Sequence, residues 1–282
     1  MATVMKALIA LAVLATAAVA GGRTAAAASP TFAARVAATP EVSSNWSGYA
    51  LIPPSTDPIV FSDVTGTWVQ PKATCTSGRR DAAAFWVGIG GYDESSTSLE
   101  QLGTAIECDG SSKKPINYAW WELVPAASVK IPFKIAAGDT ITAAVLVKGQ
   151  TISFSLRDVT RHTRFSKVLT TAQTLDVSSA EWIAEAPSNC TSSGRCAVIP
   201  LTNFGTVTFS KAAAIGNDHP GTILDPTWTA DAIELISDDS QAGLFSQGDI
   251  LGPGVGAVPT GVSADGRSFA VTWQRNLTPP TG

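Results

Sequence analysis

The sequence predicts an all-β fold, an antiparallel β-sandwich or barrel formed by one large domain. Three observations predict it. Apolar and polar residues alternate with period two in many short segments, turns rich in Gly and Pro separate these segments, and few stretches show a helical period with caps. The chain of 282 residues also has a length at which sandwiches and barrels form a single domain.

The clearest predicted element is a β-hairpin in the middle of the chain. Residues 140–147 (TITAAVLV) and 151–158 (TISFSLRD) alternate with period two, and the intervening KGQ supplies a turn. On the second strand Ile152, Phe154 and Leu156 share one face. We therefore expect these three side chains to enter the core.

Three further segments show the strand pattern. Residues 205–210 (GTVTFS) and 268–274 (SFAVTWQ) alternate, and we expect residues 252–261 (GPGVGAVPTG) to form a long loop before the last strand. Residues 117–124 (NYAWWELV) place two aromatic residues and an acid on one face, and three apolar residues on the other. The first face carries Tyr118, Trp120 and Glu122, and the second carries Ala119, Trp121 and Leu123.

The N-terminus has the pattern of a secretory signal peptide. A short segment with one Lys precedes the apolar residues 7–20, and the A-x-A sequence at 18–20 is followed by a second small-residue run at 25–28. We predict a signal peptide over residues 1–28, a short pro-segment or flexible leader over 29–40, and the domain over 41–282. Because a membrane helix needs roughly 20 apolar residues, we expect a secreted protein with no membrane partner.

Charge and composition restrict the partners. Charged residues make up 15% of the chain, against about 25% in ordinary globular domains. The net charge is -4, so the basic patches that nucleic acid requires are not expected. We predict a monomer without a nucleic-acid partner, and with few ion pairs to lose in acid.

Four cysteines in an exported chain predict two disulfides. Cys190 and Cys196 enclose the turn-rich TSSGR and would close a local hairpin, which leaves Cys75 and Cys108 for the second bond. The cysteine spacing does not fit a zinc site, and the chain has only two histidines. We therefore expect neither a metal nor a cofactor.

Common catalytic signatures are absent from the sequence, which leaves carboxylates as candidates. There is no G-x-S-x-G elbow, H-E-x-x-H helix, P-loop or repeated D-T-G. Residues 180–185 (AEWIAE) place Glu181, Ile183 and Glu185 on one strand face and Trp182 and Ala184 on the other. Carboxylates are costly on a partly buried surface unless they have a use there. This pattern alone does not rank Glu181 against Glu185.

Motifs in one order along the chain resemble the glutamic peptidases, the eqolisin family. They are WVGI at 86–89, QLG at 101–103, AWWE at 119–122 with a following Pro125, and AEWIAE at 180–185 with a following Cys190. The resemblance extends from Ser44 to the last strand. It implies a sandwich of two packed sheets, a concanavalin-like jelly roll, and an acid-acting endopeptidase for polypeptide substrates.

The resemblance also assigns residue roles. It implies that Gln101, expected in a loop, and Glu185 are catalytic and that Glu181 is a supporting hydrogen-bond partner. Trp86, Trp120 and Glu122 are then expected to bind substrate. Glu185, with a reference pKa of about 4.3, would take a proton from water and return it to the leaving amine. The Gln101 amide would donate to the oxyanion.

Two departures and two alternatives accompany this prediction. Gly90 and Ala105 stand where the family often has acids, which leaves the pH optimum and the side-chain preference open.

A β-sandwich glycoside hydrolase would use Glu122 and Glu185 as acid and nucleophile. A carbohydrate-binding module would instead use Trp86, Trp120 and Trp121 as a platform for sugar rings.

Overall fold

The computed structural model describes residues 35–36, 39–55, 57–93, 95–190, 196–237 and 255–277. The predicted signal peptide lies outside the described residues. In the described part the chain forms nineteen strands and no helix, so that part contains no helical segment able to span a membrane.

The strands follow one another closely along the chain. In chain order they are β1 (Arg35–Val36), β2 (Glu41–Ser43), β3 (Trp46–Ile52), β4 (Phe61–Val69), β5 (Arg80–Ile89), β6 (Glu100–Asp109), β7 (Ile116–Leu123), β8 (Val129–Lys134), β9 (Thr140–Lys148), β10 (Thr151–Asp158), β11 (Thr163–Thr170), β12 (Ala180–Glu185), β13 (Ser188–Cys190), β14 (Cys196–Val198), β15 (Thr206–Gly216), β16 (His219–Gly221), β17 (Thr229–Ile236), β18 (Gly256–Pro259) and β19 (Phe269–Gln274).

Two layers of mainly antiparallel strands make up the fold, and the short strands β1 and β2 pair in parallel with β17. The first sheet has the order β8-β7-β6-β5-β12-β3-β17, and the second has the order β11-β10-β9-β4-β15-β19. Strand β18 pairs with β17 and with β19, which joins the layers at one edge. Strands β4 and β9 pack against β5 and β6 without pairing with them. The predicted antiparallel sandwich of two packed sheets is confirmed, whereas its jelly-roll connectivity stays a prediction.

The first sheet is covered on both faces. Along β5, Phe85 and Val87 enter the core between the layers, where they join Phe154 of β10. The alternate residues Ala84 and Trp86 belong to a smaller apolar cluster on the opposite face. Residues buried on both faces explain why β5 reads as a nearly continuous apolar run. This opposite face, called the outer face below, carries the candidate site.

The structure confirms the predicted hairpin and the predicted strand faces. Strands β9 and β10 pair in register from Lys148 opposite Thr151, and Ile152, Phe154 and Leu156 are buried in the core. On β7 the predicted apolar face packs on the core, and its other face joins the outer cluster.

The predicted long loop at residues 252–261 is wrong in part, because Gly256–Pro259 forms strand β18. Glycine is required at its start, since a Cβ on Gly256 would lie 1.9 Å from the Leu235 carbonyl oxygen. Pro259 pairs with β19 but not with β17, and at such an edge position a missing N–H is tolerated. Residues 252–254 lie outside the described part.

One predicted disulfide is confirmed, between Cys75 and Cys108. Cys190 and Cys196 are register partners across β13 and β14, as the other predicted disulfide requires. Cys196 is disulfide-bonded, and the side chain of Cys190 lies outside the described residues.

Trp182 holds the two layers together, because it is fully buried and its Nε1 donates to the Thr65 carbonyl of the second sheet, 2.8 Å away. We expect Trp182→Phe to lower the free energy of unfolding by about 2–4 kcal/mol, from lost packing and a carbonyl left unpaired. Urea denaturation measures this change. Val168→Ala, at a residue 63% exposed, is the control and should change stability by less than about 0.5 kcal/mol. Equal effects of the two substitutions would contradict the role given to Trp182.

Candidate active site

Strand register arranges the outer face as three rows of side chains across β3, β12, β5, β6 and β7. Residues opposite one another in an antiparallel sheet share a face. In strand order the rows are Ala50, Glu181, Gly88, Gln101 and Glu122; Gly48, Ile183, Trp86, Gly103 and Trp120; and Trp46, Glu185, Ala84, Ala105 and Tyr118. The structure thus brings every predicted catalytic and substrate-binding residue onto one face.

Gln101 and Glu185 lie two rows and two strands apart, and the Trp86 indole lies between them. Its Nε1 donates to Glu185 Oε2 at 2.6 Å. Its six-membered ring covers Gly88, the register partner of Gln101, because Cζ3 comes within 2.9 Å of where a Gly88 Cβ would stand. The indole therefore extends from Glu185 to Gly88, the residue that lies beside Gln101 on the neighbouring strand.

Side-chain donors engage both oxygens of the Glu185 carboxyl. Besides Trp86, Asn45 Nδ2 donates to its Oε1 at 3.3 Å. Burial raises the pKa of Glu185 to about 8, and the nearby Glu122 carboxyl adds to the rise, while the hydrogen bonds from Trp86, Trp46 and Asn45 oppose it. The pKa of Glu185 is therefore raised above the reference value expected from the sequence, because the carboxyl is partly buried among the side chains of this face.

Gln101 lies in strand β6, so the prediction that it lies in a loop is wrong. The extended segment begins at Glu100, since its backbone pairs with β5 and with β7. The Gln101 side chain is buried, and its Nε2 donates to Glu122 Oε2 at 2.8 Å. Its Oε1 has no hydrogen-bond partner among the described residues. The amide is thus oriented with one of its N–H groups toward Glu122.

Glu122 and the two tryptophans surround the candidate pair. Burial raises the pKa of Glu122, and the hydrogen bonds from Gln101 and from the Ser128 backbone oppose the rise. Trp86 is fully buried and Trp120 nearly so. Trp86 contacts Glu185 directly, while binding of substrate by Trp86, Trp120 and Glu122 stays a prediction.

Sequence reasoning assigned no role to Asn45 and Trp46, which the structure places beside Glu185. Trp46 is the register partner of Glu185 and its ring meets Trp86 edge to face at 5.0 Å. The Asn45 carbonyl also accepts from the Ala186 N–H. These residues lie in SNWSGY at 44–49, where the resemblance to the family begins, and that position was the available signal.

Two further acids of this sheet, Glu100 and Glu181, are fully buried. Hydrogen bonds from Ser98 and Ser179 favour the ionised forms of the two carboxyls but do not outweigh burial, and the supporting role expected of Glu181 stays a prediction. Burial raises the pKa of Glu100 to about 8. It raises the pKa of Glu181 well above its ordinary value, and the neighbouring Asp176 and Glu100 carboxyls add to the rise. Both carboxyls are therefore neutral in acid.

Among the described residues, no group of three His, Cys, Asp or Glu side chains converges as metal ligands would. What the face offers is one carboxyl fixed by donors and one amide fixed by an acceptor. A carboxyl can move protons, and an amide can stabilise an oxyanion at any pH. The arrangement is suited to hydrolysis of a carbonyl compound by an activated water.

Comparisons with known proteins agree with this arrangement. The statistical model of the peptidase A4 family matches residues 44–250, while no curated protein matches the chain. The chain is similar in structure to scytalido-glutamic peptidase bound to a peptide-based transition state analogue, at 24% identity and a TM-score of 0.62, over 82% of this chain and 98% of that one. It is also similar to SCP-B, an eqolisin-family peptidase bound to the tripeptide Ala-Ile-His, at 23% identity and a TM-score of 0.60, over 82% and 98% of the two chains. A third similar structure is aspergilloglutamic peptidase from Aspergillus niger, at 22% identity and a TM-score of 0.51, over 69% and 99%.

The family match defines the class of the protein, which is a peptidase. The chain belongs to the peptidase A4 family, the eqolisins, and is a glutamic-type endopeptidase. The structural similarity confirms the fold of that family. Membership decides against the glycoside hydrolase and the carbohydrate-binding module.

The buried acids predict a stability that declines toward neutral pH. A carboxyl whose folded pKa is raised stabilises the fold fully below its unfolded pKa, and this contribution is lost as pH rises through the folded pKa, which is about 8 for Glu100. We expect Glu100→Gln to make the slope of unfolding free energy between pH 5 and 7 shallower by about 1.4 kcal/mol per pH unit. Urea denaturation across this range measures the slope.

Glu107→Gln is the matched control for Glu100→Gln. Glu107 lies in the same strand, but its carboxyl is 41% exposed and pairs with Lys130 on the surface. Its substitution should leave the slope unchanged. If Glu100→Gln has no larger effect on the slope than the control, Glu100 is not neutral in the folded protein.

Proposed function

We propose that this protein is a secreted endopeptidase that hydrolyses polypeptides in mildly acidic medium, with Glu185 as general base and acid and Gln101 as oxyanion donor. The observation that carries the proposal is the fixed carboxyl and the fixed amide on one sheet face, with the Trp86 indole between them. The A4 family match supplies the reaction class.

Glu185 would handle the protons of the reaction. The ionised carboxylate takes a proton from a water molecule, whose oxygen attacks the peptide carbonyl. The resulting carboxylic acid gives that proton to the departing amine, which returns Glu185 to its starting state. Donors on both oxygens, from Trp86 and Asn45, support this proposal because they hold the carboxyl in one orientation and stabilise its ionised form.

Gln101 would stabilise the negative charge that forms on the carbonyl oxygen. Its amide nitrogen carries two hydrogens, of which one is engaged by Glu122 at 2.8 Å. The second is then available to the oxyanion. Because Glu122 already holds the side chain, little reorganisation is needed during the reaction. Glu122 is thus proposed as a positioning residue.

The proposed acid preference follows from two interacting carboxyls. Glu122 raises the pKa of Glu185, so the two lose their protons as a pair. We take as the active form the singly ionised pair with the charge on Glu185 and the proton on Glu122. Because the pKa of Glu185 is raised to about 8, this is the minor of the two singly ionised forms in acid. A second negative charge at the site would oppose formation of the oxyanion. Activity should therefore rise with the first ionisation and fall with the second.

Secretion and peptide substrates are part of the proposal. Residues 1–28 have the signal-peptide pattern, and the Cys75–Cys108 disulfide is typical of proteins in oxidising compartments. Two of the similar structures hold a peptide-based analogue and a tripeptide. Peptides are therefore the substrates proposed for this chain.

Substitution of the proposed catalytic pair tests the function. At mildly acidic pH and with a denatured protein as substrate, we expect Glu185→Gln to lower kcat/KM by 10³ or more, on the order of what a general base contributes. Gln101→Ala should lower it by on the order of 10²–10³, as loss of an oxyanion donor does. Product release measured by mass spectrometry gives both values, and Glu107→Gln should retain full activity. Retention of activity by either variant of the pair, with folding verified by circular dichroism, would overturn the proposal.

The pH profile tests the role of Glu122 separately. Glu122→Gln removes the second ionisation but leaves an oxygen that can accept from the Gln101 amide. We expect kcat to fall by less than about tenfold at the optimum, because the glutamine oxygen keeps the hydrogen bond that positions Gln101 and Glu122 is already neutral in the proposed active form. The bell-shaped dependence of kcat/KM on pH should become a single rising limb, measured from initial rates. An unchanged bell would show that Glu122 does not titrate with Glu185.

A further inference from the structure

A basic cavity of about 340 Å³ lies at a place that none of the candidate active-site residues lines. Three segments build it: the stretch before β5, the turn that precedes β15, and the end of β19. The first segment contributes Lys72 and Arg79, and the second contributes Asn203. The third contributes Trp273 and Arg275. The cavity thus combines three cations with side-chain and indole hydrogen-bond donors.

The walls of this cavity are held by covalent and backbone bonds. The Cys75–Cys108 disulfide ties the first segment to β6, and the Arg79 N–H donates to the Thr76 carbonyl at 3.1 Å. The Trp273 N–H donates to the Gly205 carbonyl at 2.8 Å, which joins the other two segments. A site with fixed walls binds a ligand without a large ordering cost.

The charge of the cavity is opposite to that of the chain. The chain has a net charge of -4 with 19 Lys and Arg residues, yet three of these cations line this cavity with a single acid, Asp81. Asp81 Oδ2 lies 3.3 Å from Arg79 Nε. Because a guanidinium has five N–H donors, this pair leaves donors of Arg79 for a ligand.

Trp273 gives an independent sign of a ligand. Its indole Nε1 is buried and has no hydrogen-bond acceptor among the described residues, although a buried donor without a partner is costly. The Arg275 guanidinium lies over its ring at 5.1 Å. Because Nε1 has no accessible surface, an acceptor bound in the cavity beside the Arg275 guanidinium satisfies the indole N–H through a small shift of the ring.

We propose that this cavity binds a tetrahedral oxyanion, a sulfate or phosphate group. Lys72, Arg79 and Arg275 supply charge-assisted donors, and the Trp273 indole supplies a neutral one. Four donor groups match the three or four terminal oxygens of a sulfate or phosphate better than the two oxygens of a carboxylate. The group could belong to a free ion or to a sulfated polymer, and both present the same oxygens.

Calorimetric titration of the full chain with sodium sulfate at pH 5 and low ionic strength tests the site. We expect saturable binding with one sulfate per chain, weakened about tenfold by Lys72→Gln and by Arg275→Gln, since a hydrogen bond to a charged group contributes on the order of a factor of ten or more. Lys211→Gln, at another lysine, is the matched control and should bind like the wild type. Lys72 is exposed, so its substitution reports on binding without loss of folding.

A second arm of the experiment identifies the source of the group. Dextran sulfate that binds more tightly than sulfate, per sulfate group and at equal ionic strength, indicates a polymer, whereas equal affinity indicates a free ion. Both results support the site if Lys72→Gln weakens the binding of sulfate and of dextran sulfate. Absence of saturable sulfate binding, or equal affinity of wild type, Lys72→Gln and Arg275→Gln, would overturn the proposal. Peptidase activity is not used as a readout, so this result is independent of the proposed function.

Discussion

The hydrogen bond from the Trp86 indole to Glu185 is the interaction on which the site depends. It requires the indole to lie flat along β5, and this in turn requires Gly88, because any side chain there would meet the ring. It also requires that Glu185 and Trp86 share a face of neighbouring strands, which the register of β12 and β5 provides. The apolar core on the other face of the same sheet holds these strands in place. The position of one carboxyl is therefore a consequence of the whole sandwich.

Burial of carboxyls on this sheet connects stability with the proposed chemistry. Burial raises the pKa values of four carboxyls of this sheet: Glu185 and Glu122 are partly buried, and Glu100 and Glu181 are fully buried. Such carboxyls destabilise the fold when they ionise and do not when they are protonated. These four carboxyls thus destabilise the fold least in the pH range in which they hold their protons.

Local patterns in the sequence were enough to predict strands and the faces of their side chains. Alternation assigned Glu181 and Glu185 to one face correctly, because side-chain direction in a strand depends only on neighbouring residues. It could not show that Gln101 lies in a strand, since that depends on pairing with β5 and β7. The contact of Asn45 with Glu185 joins residues 140 positions apart, and it follows from sheet register rather than from any local signal. The partners of Glu185, and hence its raised pKa, needed the structure.

A double-mutant cycle on kcat/KM tests most directly whether Glu185 and Gln101 act in one reaction. Residues that act as a unit have strongly non-additive effects. We expect the combination of Glu185→Gln with Gln101→Ala to lose little more activity than Glu185→Gln alone, measured with one peptide substrate at mildly acidic pH. Losses that multiply, or a double variant that retains activity, would contradict the account.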